Sequence, residues 1–290
     1  MTRTSDLIDV AELTRIIDSP ACRVVDCRFD LFDKEKGRSD FRAGHLPGAV
    51  YAHMDHDLAG PVTPASGRHP LPDPAAFRST LASWGIGNDT HVVAYDDHNG
   101  AVAARLWWML RYWMGHSQVS VLDGGIAAWV AAGGAVETEE RAPAPAVFDG
   151  QPDDDVVATT EEIAADVAAG RDRLLLDARD PVRFRGDKEP IDTVAGHIPG
   201  AVNLPLGRSL GEGGRWKDDH ALGAIWSEFS DRAADEPPVA MCGSGVTACH
   251  LILSATLAGA PVPRLYVGSW SEWIRDPDRP IGLGADADSG

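Results

Sequence analysis

An eight-residue segment occurs twice in this chain. Residues 43–50 read AGHLPGAV, and residues 195–202 read AGHIPGAV. Near-identity over that length points to two copies of one structural unit. The surroundings agree in order as well. CRVVDCR (22–28) precedes the first copy and RLLLDAR (173–179) precedes the second. HVVAYDD (91–97) then corresponds to PPVAMCG (237–243), and VLDGGIAAW (121–129) to LYVGSWSEW (265–273). Whatever fold the 290 residues adopt is built twice from one order of elements.

The runs VVD, HVVAY, LLLD and PVAM are short, apolar and partly β-branched, and each is bounded by charged or turn residues. They predict strands of a mainly parallel sheet buried on both faces. Helical patterns alternate with them. TTEEIAADVAA (159–169) has Thr159 or Thr160 as N-cap and acids in its first turn, and AVAARLWWMLRYW (101–113) is strongly apolar. Strand–helix alternation predicts an α/β fold in two tandem copies, each a mainly parallel sheet flanked by helices. Each HxPGAV segment reads as a turn followed by a short strand. The first domain is placed at 1–135 and the second at 156–282. Between them, 136–155 is rich in Gly, Pro and acid and reads as an exposed linker; 283–290 reads as a loose tail.

Composition narrows the partners. The formal net charge is −18, a field that repels nucleic acid and anionic lipid. No apolar run approaches the roughly 20 residues needed to cross a bilayer. The opening MTRTSDLIDVAEL has no basic stretch followed by an apolar core, so the expected location is cytoplasmic. An anionic substrate would need local cations or oriented backbone amides to outweigh the global charge.

One loop meets that requirement. After PVAM comes Cys242-Gly243-Ser244-Gly245-Val246-Thr247, followed by the helical pattern ACHLILSATLAG (248–259). A strand, a glycine-bearing turn and a helix in that order place the turn at the carboxyl edge of a parallel sheet, where open α/β folds bind ligands. Backbone N–H groups of Gly243, Gly245, Val246 and Thr247 are candidates to cradle an anion, helped by the helix terminus. The first residue of the loop is a cysteine, whose nucleophilic form is itself an anion. Cys242 is therefore the candidate nucleophile. At the matching position of the first repeat stands Asp96, which cannot act as a soft sulfur nucleophile.

On these residues the chain resembles the rhodanese family, and within it the mercaptopyruvate sulfurtransferase branch. The resemblance spans nearly the whole chain. It includes both HxPGAV segments, LDGG-x4-W (122–129), GSW-x2-W (268–273) and, most specifically, CGSGVTA (242–248). Thiosulfate-using relatives typically carry basic residues just after the cysteine, where this chain has Gly243 and Ser244. The resemblance implies attack of the Cys242 thiolate on the sulfur of 3-mercaptopyruvate, a persulfide intermediate, and release of pyruvate. A thiol such as thioredoxin or a low-molecular-weight thiol, or cyanide, would accept the sulfur. No metal or organic cofactor is implied. Ser244 matches an active-site serine that assists proton movement, Asp55 and His69 match an aspartate and histidine contributed by the first domain, and Arg183 matches an arginine that binds the substrate carboxylate. One departure stands out. Related mercaptopyruvate enzymes often carry a second arginine after a Glu-Pro, whereas Glu189-Pro190 is followed here by Ile191. Arg179, Arg185 and Lys188 are candidates to replace it.

Other residues carry structural readings. His45 and His197 recur in both repeats and read as turn anchors, as do Asp26 and Asp177. Trp107, Trp108, Trp113, Trp270 and Trp273 read as core, and Cys22, Cys27 and Cys249 as small buried hydrophobes. His53, Asp55, His56 and Asp57 crowd together without helical spacing or a distant partner, so no metal site is expected. Three rival functions remain. A phosphatase of this fold would need arginine six residues after Cys242, where Ala248 stands. A thiosulfate sulfurtransferase would share the chemistry with a different donor. A non-catalytic rhodanese-type binding or regulatory module would lack the cysteine, as the first repeat does.

Overall fold

The computed structural model describes residues 4–97, 99–232 and 236–284. The chain forms two units. The first comprises residues up to Gly60, Leu71–Asp154 and Leu210–Trp216; the second comprises Pro61–Pro70, Asp155–Ser209 and the residues from Lys217 onward. Most of the tail predicted at 283–290 lies outside the described residues.

The first unit is built on a five-stranded sheet. Its strands are β1 (Leu7–Ile8), β2 (Cys22–Asp26), β3 (Val50–Tyr51), β4 (His91–Tyr95) and β5 (Val119–Leu122), in the spatial order β1-β5-β4-β2-β3. Every pairing is parallel. Val24, Val25, Val92, Val93 and Ala94 are all buried, so both sheet faces are covered. This is why the strands read as continuous apolar runs rather than as alternation. The predicted helix over 101–113 forms as an α-helix, Ala103–Trp108, that continues as a π-helical turn, Met109–Trp113. Trp107, Trp108 and Trp113 are core, as expected.

The second unit repeats the plan. Strands β6 (Val157–Ala158), β7 (Leu175–Asp177), β8 (Val202–Asn203), β9 (Val239–Met241) and β10 (Arg264–Tyr266) lie in the order β6-β10-β9-β7-β8, again all parallel. Position for position this is the first sheet. Thr159 caps the helix Thr160–Ala169 in a capping box with Glu162, and Asp9 with Glu12 does the same for Val10–Ile16. The helix Ala248–Ala258 ends on Gly259 in the left-handed conformation.

The repeated residues do repeated jobs. Asp26 grips Arg28 bidentately, and Arg28 Nη2 donates to the Gly44 carbonyl (2.8 Å). Asp177, Arg179 and the Gly196 carbonyl (2.8 Å) reproduce the arrangement. His45 stacks on Phe41, with Nδ1 at 2.7 Å from the Phe41 carbonyl; His197 stacks on Phe184, with Nδ1 at 2.9 Å from that residue's carbonyl. Both histidines anchor turns, which is the reading their recurrence supports. The stretch 136–155 has almost no regular structure, yet it is pinned to the first unit. Glu137 pairs with His45, the Ala146 N–H donates to Ala82, and Phe148 is buried against His116. Among the described residues no helix is long and apolar enough to cross a membrane.

Candidate active site

Cys242 directly follows β9 and heads the loop that enters the helix Ala248–Ala258. It is 2% exposed. The Ser244 N–H points at its sulfur, 3.4 Å away. Gly245 has φ of +73°, and a Cβ there would come within 2.6 Å of the Val267 carbonyl oxygen, so only glycine lets the loop turn against β10. Val246 and Thr247 close the turn by accepting the N–H groups of Cys249 and His250.

The loop is laced to the segment after β10. Cys242 N–H donates to Ser269 Oγ (3.1 Å), while the carbonyls of Cys242 and Gly243 accept from Trp270 (3.0 Å) and Ser271 (2.9 Å). Ser269 has φ of +52°, a costly value for a residue with a side chain, and its hydroxyl is held by the Tyr266 carbonyl (2.8 Å). Trp270 and Trp273 are fully buried core, and the Arg179 guanidinium lies over Trp270.

His69 was expected as a contribution of the first domain, but it belongs to the second unit through the segment Pro61–Pro70. That segment is fixed by its backbone. Gly67 N–H donates to Glu272 (3.1 Å) and Arg68 N–H to Ser271 Oγ (3.0 Å). A Cβ on Gly67 would stand 2.5 Å from the Gly268 carbonyl oxygen, so close approach demands glycine here. The result is a buried His69 whose Nδ1 lies 2.8 Å from Ser244 Oγ. Asp55 lies in the first unit, where its carboxylate meets Lys34 Nζ at 2.6 Å. Its neighbour His53 accepts the Asp55 N–H (3.1 Å), and Asp57 accepts the His53 N–H (2.7 Å), so these residues define a turn. Among the described residues no group of three or more His, Cys, Asp or Glu is gathered as a metal site.

Arg183 is half-buried and engaged on two sides. Its Nε meets both Glu189 oxygens at 3.0 Å, and its Nη2 meets Asp192 Oδ2 at 3.0 Å. Burial pushes the Glu189 carboxyl up, but Arg183 and the N–H groups of Asp192 and Ile191 outweigh it and leave it below its ordinary value. The three candidates to replace the arginine absent after Pro190 stand in different surroundings. Arg179 is held by Asp177, Arg185 turns to Asp187 (2.8 Å), and Lys188 is exposed. The Arg68 guanidinium also lies here and pairs with Asp192 Oδ1. A Cβ on Gly243 would meet Arg68 Nη2 at 2.8 Å and Arg183 Nη2 at 3.6 Å, so both cations converge on the residue after Cys242. Sequence reading missed Arg68, although its adjacency to His69 was the available signal.

The first unit supplies a contrast at the matching position. Asp96 follows β4 as Cys242 follows β9. Its buried carboxylate accepts the N–H groups of Gly100 (2.9 Å), Val102 (2.9 Å) and Ala103 (3.1 Å). The anion cradle of that loop is therefore filled by the protein's own carboxylate.

Duplicated parallel five-stranded sheets, one loop bearing a cysteine and its counterpart closed by an aspartate, define a tandem α/β protein with a single candidate reactive loop. The chain belongs to the rhodanese family: the rhodanese-like domain matches residues 9–132 and again 159–276. It is 45% identical to a Pseudomonas aeruginosa protein named "Probable 3-mercaptopyruvate sulfurtransferase", over 97% of this chain and 99% of that one. It is 37% identical to the thiosulfate sulfurtransferase of Rattus norvegicus, over 88% and 86%. Among solved structures it is similar to 3-mercaptopyruvate sulfurtransferase from Leishmania major, with a TM-score of 0.80 and 32% identity, covering 93% of this chain and 75% of that one.

Proposed function

We propose that this protein is a sulfurtransferase that takes sulfur from 3-mercaptopyruvate onto Cys242 and passes it to a thiol or to cyanide. The observation that carries the reading is the grouping of Cys242, Ser244 and His69 in one unit beneath two guanidiniums. The Cys242 thiolate attacks the thiol sulfur of the donor. An S–S bond forms, the donor C–S bond breaks, and its electron pair stays on carbon as the pyruvate enolate. The proton of the donor thiol moves to that carbon, which balances the step as persulfide anion plus pyruvate. The Ser244 hydroxyl, hydrogen-bonded to His69, is the group proposed to pass the proton. An acceptor thiolate or cyanide then takes the outer sulfur and restores the Cys242 thiolate.

Arg183, with backbone donors from Gly243, Gly245, Val246 and Thr247, is proposed to hold the anionic donor. Asp55 keeps its place in the catalytic set on sequence correspondence alone, and Asp55→Asn kinetics test it. A thioredoxin-like protein or a low-molecular-weight thiol is the proposed acceptor. Cytoplasmic placement is proposed with it, since all four cysteines are free thiols, as in a reducing compartment. Turnover measured side by side with 3-mercaptopyruvate and thiosulfate tests the donor. The expected result is higher kcat/KM with 3-mercaptopyruvate, because no basic residue follows Cys242 in its loop. A clear preference for thiosulfate would assign the protein to the other branch.

A further inference from the structure

We propose that Glu272 is a positioning residue for sulfur transfer, acting through the Gly67 N–H to set where His69 meets Ser244. The proposal rests on the reading of Cys242, Ser244 and His69 as the reactive set. His69 lies on Pro61–Pro70, which has neither helix nor strand. Such a segment cannot by itself hold a side chain to within about half an ångström, so rigid elements beside it must do so. The helix Ser269–Trp273 supplies the rigidity. Its Trp270 and Trp273 are fully buried, and their indole N–H groups donate to the carbonyls of Val194 (2.9 Å) and Pro280 (3.0 Å). Arg279 holds the far end of the helix by donating to the Glu272 and Trp273 carbonyls, both at 3.1 Å.

Two neighbouring residues of this helix meet two neighbouring residues of the segment. Ser271 Oγ accepts the Arg68 N–H, and Glu272 Oε2 accepts the Gly67 N–H at 3.1 Å. The Ser271 N–H also donates to the Gly243 carbonyl, so the same turn of helix fixes the nucleophile loop. The half-buried Glu272 carboxylate is itself aimed. Its second oxygen, Oε1, accepts the Thr160 hydroxyl, which stands 2.7 Å from the Tyr266 hydroxyl. Because the Thr160 proton goes to Glu272, Tyr266 donates to Thr160. Burial pushes the Tyr266 phenol up, so it keeps the proton it donates. Two glycines leave room for the contact. A Cβ on Gly268 would stand 2.5 Å from the Glu272 carboxyl carbon, and Gly67 needs its bare backbone against the Gly268 carbonyl. The carboxylate is thus folded back onto a backbone N–H two residues before His69.

The test joins steady-state kinetics with 3-mercaptopyruvate to the nitrogen NMR resonance of His69 Nδ1, both on the full chain. Glu272→Ala is expected to lower kcat about tenfold while KM changes less than about twofold. Glu272→Gln keeps an oxygen within reach of Gly67 and is expected to stay within about threefold of wild type. Glu272→Asp keeps the charge but falls one methylene short, and it is expected to resemble Glu272→Ala. In a His69→Ala background, Glu272→Ala is expected to lower kcat no further, because it acts through that histidine. The Nδ1 resonance is expected to move in Glu272→Ala toward its position in Ser244→Ala, and to stay in place in Glu272→Gln. That readout needs no turnover. It decides the positioning role even if the wild type forms no persulfide with either donor, the outcome by which the sulfurtransferase reading would fail. An unmoved resonance or an unchanged kcat in Glu272→Ala would overturn the proposal, as would additive losses with His69→Ala. Should Glu272→Ala fail to fold, Glu272→Asp and Glu272→Gln decide; no difference between them would overturn it.

Discussion

His69 Nδ1 lies 2.8 Å from the hydroxyl of Ser244, whose own N–H points at the Cys242 sulfur. Two residues from sequence-distant loops thus meet the candidate nucleophile in one unit. If this pair moves a proton during sulfur transfer, Ser244→Ala lowers kcat by about 10- to 100-fold while KM with 3-mercaptopyruvate changes little. His69→Ala has a similar effect. The double variant is hardly worse than either single one, because the two act as one relay. Steady-state kinetics of the three proteins check this; additive losses would separate the two roles.

In the first unit, Asp96→Ala strips the acceptor from three backbone N–H groups at once. Buried donors left without partners destabilise the fold, here by about 2–4 kcal/mol. Asp96→Asn keeps an acceptor oxygen and loses less. Urea unfolding monitored by tryptophan fluorescence measures both.

The four cysteines differ sharply in environment. Burial pushes the Cys22 thiol up to about 11 despite Arg23 beside it. Cys27 is raised further by burial and by Asp26, Asp96 and Asp57, and Cys249 donates its S–H to the Gly245 carbonyl (3.3 Å). Iodoacetamide applied to the native protein near pH 8, at about the ordinary thiol pKa, is expected to label Cys242 first, with the other three labelled only after unfolding. Peptide mapping against time reads the order.

Glu189 has a folded-state pKa below its ordinary value of 4.5. Its contribution to stability is therefore fully present above 4.5 and is lost as pH falls through the lower folded value. Glu189→Gln removes that contribution. The variant is expected to be less stable than wild type at neutral pH, with the gap narrowing as pH falls below 4.5. Thermal melts across that range test the sign.

The repeat and the apolar runs were enough to read a mainly parallel sheet in each half, because parallel strands buried on two faces leave an unbroken apolar signature; the two-residue edge strands β1 and β6 and the spatial strand order were not read. The N-cap was narrowed to Thr159 or Thr160, of which Thr159 does the capping, and the helical pattern 248–259 ran to Gly259, where the helix is capped. The π-helical turn at Met109–Trp113 was not legible. Periodicity over so short a stretch does not separate a helix from its one-residue bulge. The stretch 136–155 was read as a linker from composition, whereas a few specific contacts at Glu137, Ala146 and Phe148 tie it to the first unit. In the site, Cys242 and Ser244 announced themselves through one loop. Arg68 and Asp192 did not, because 124 residues separate them and only the fold makes them partners.

The central claim is that Cys242 alone carries the transferred sulfur. Intact-mass spectrometry of wild type and Cys242→Ser after brief incubation with 3-mercaptopyruvate, without acceptor, tests it most directly. The account predicts the added mass of one sulfur atom on the wild type, removable by cyanide, and none on Cys242→Ser. Equal sulfur addition to both proteins, or none to the wild type with either 3-mercaptopyruvate or thiosulfate, would contradict it.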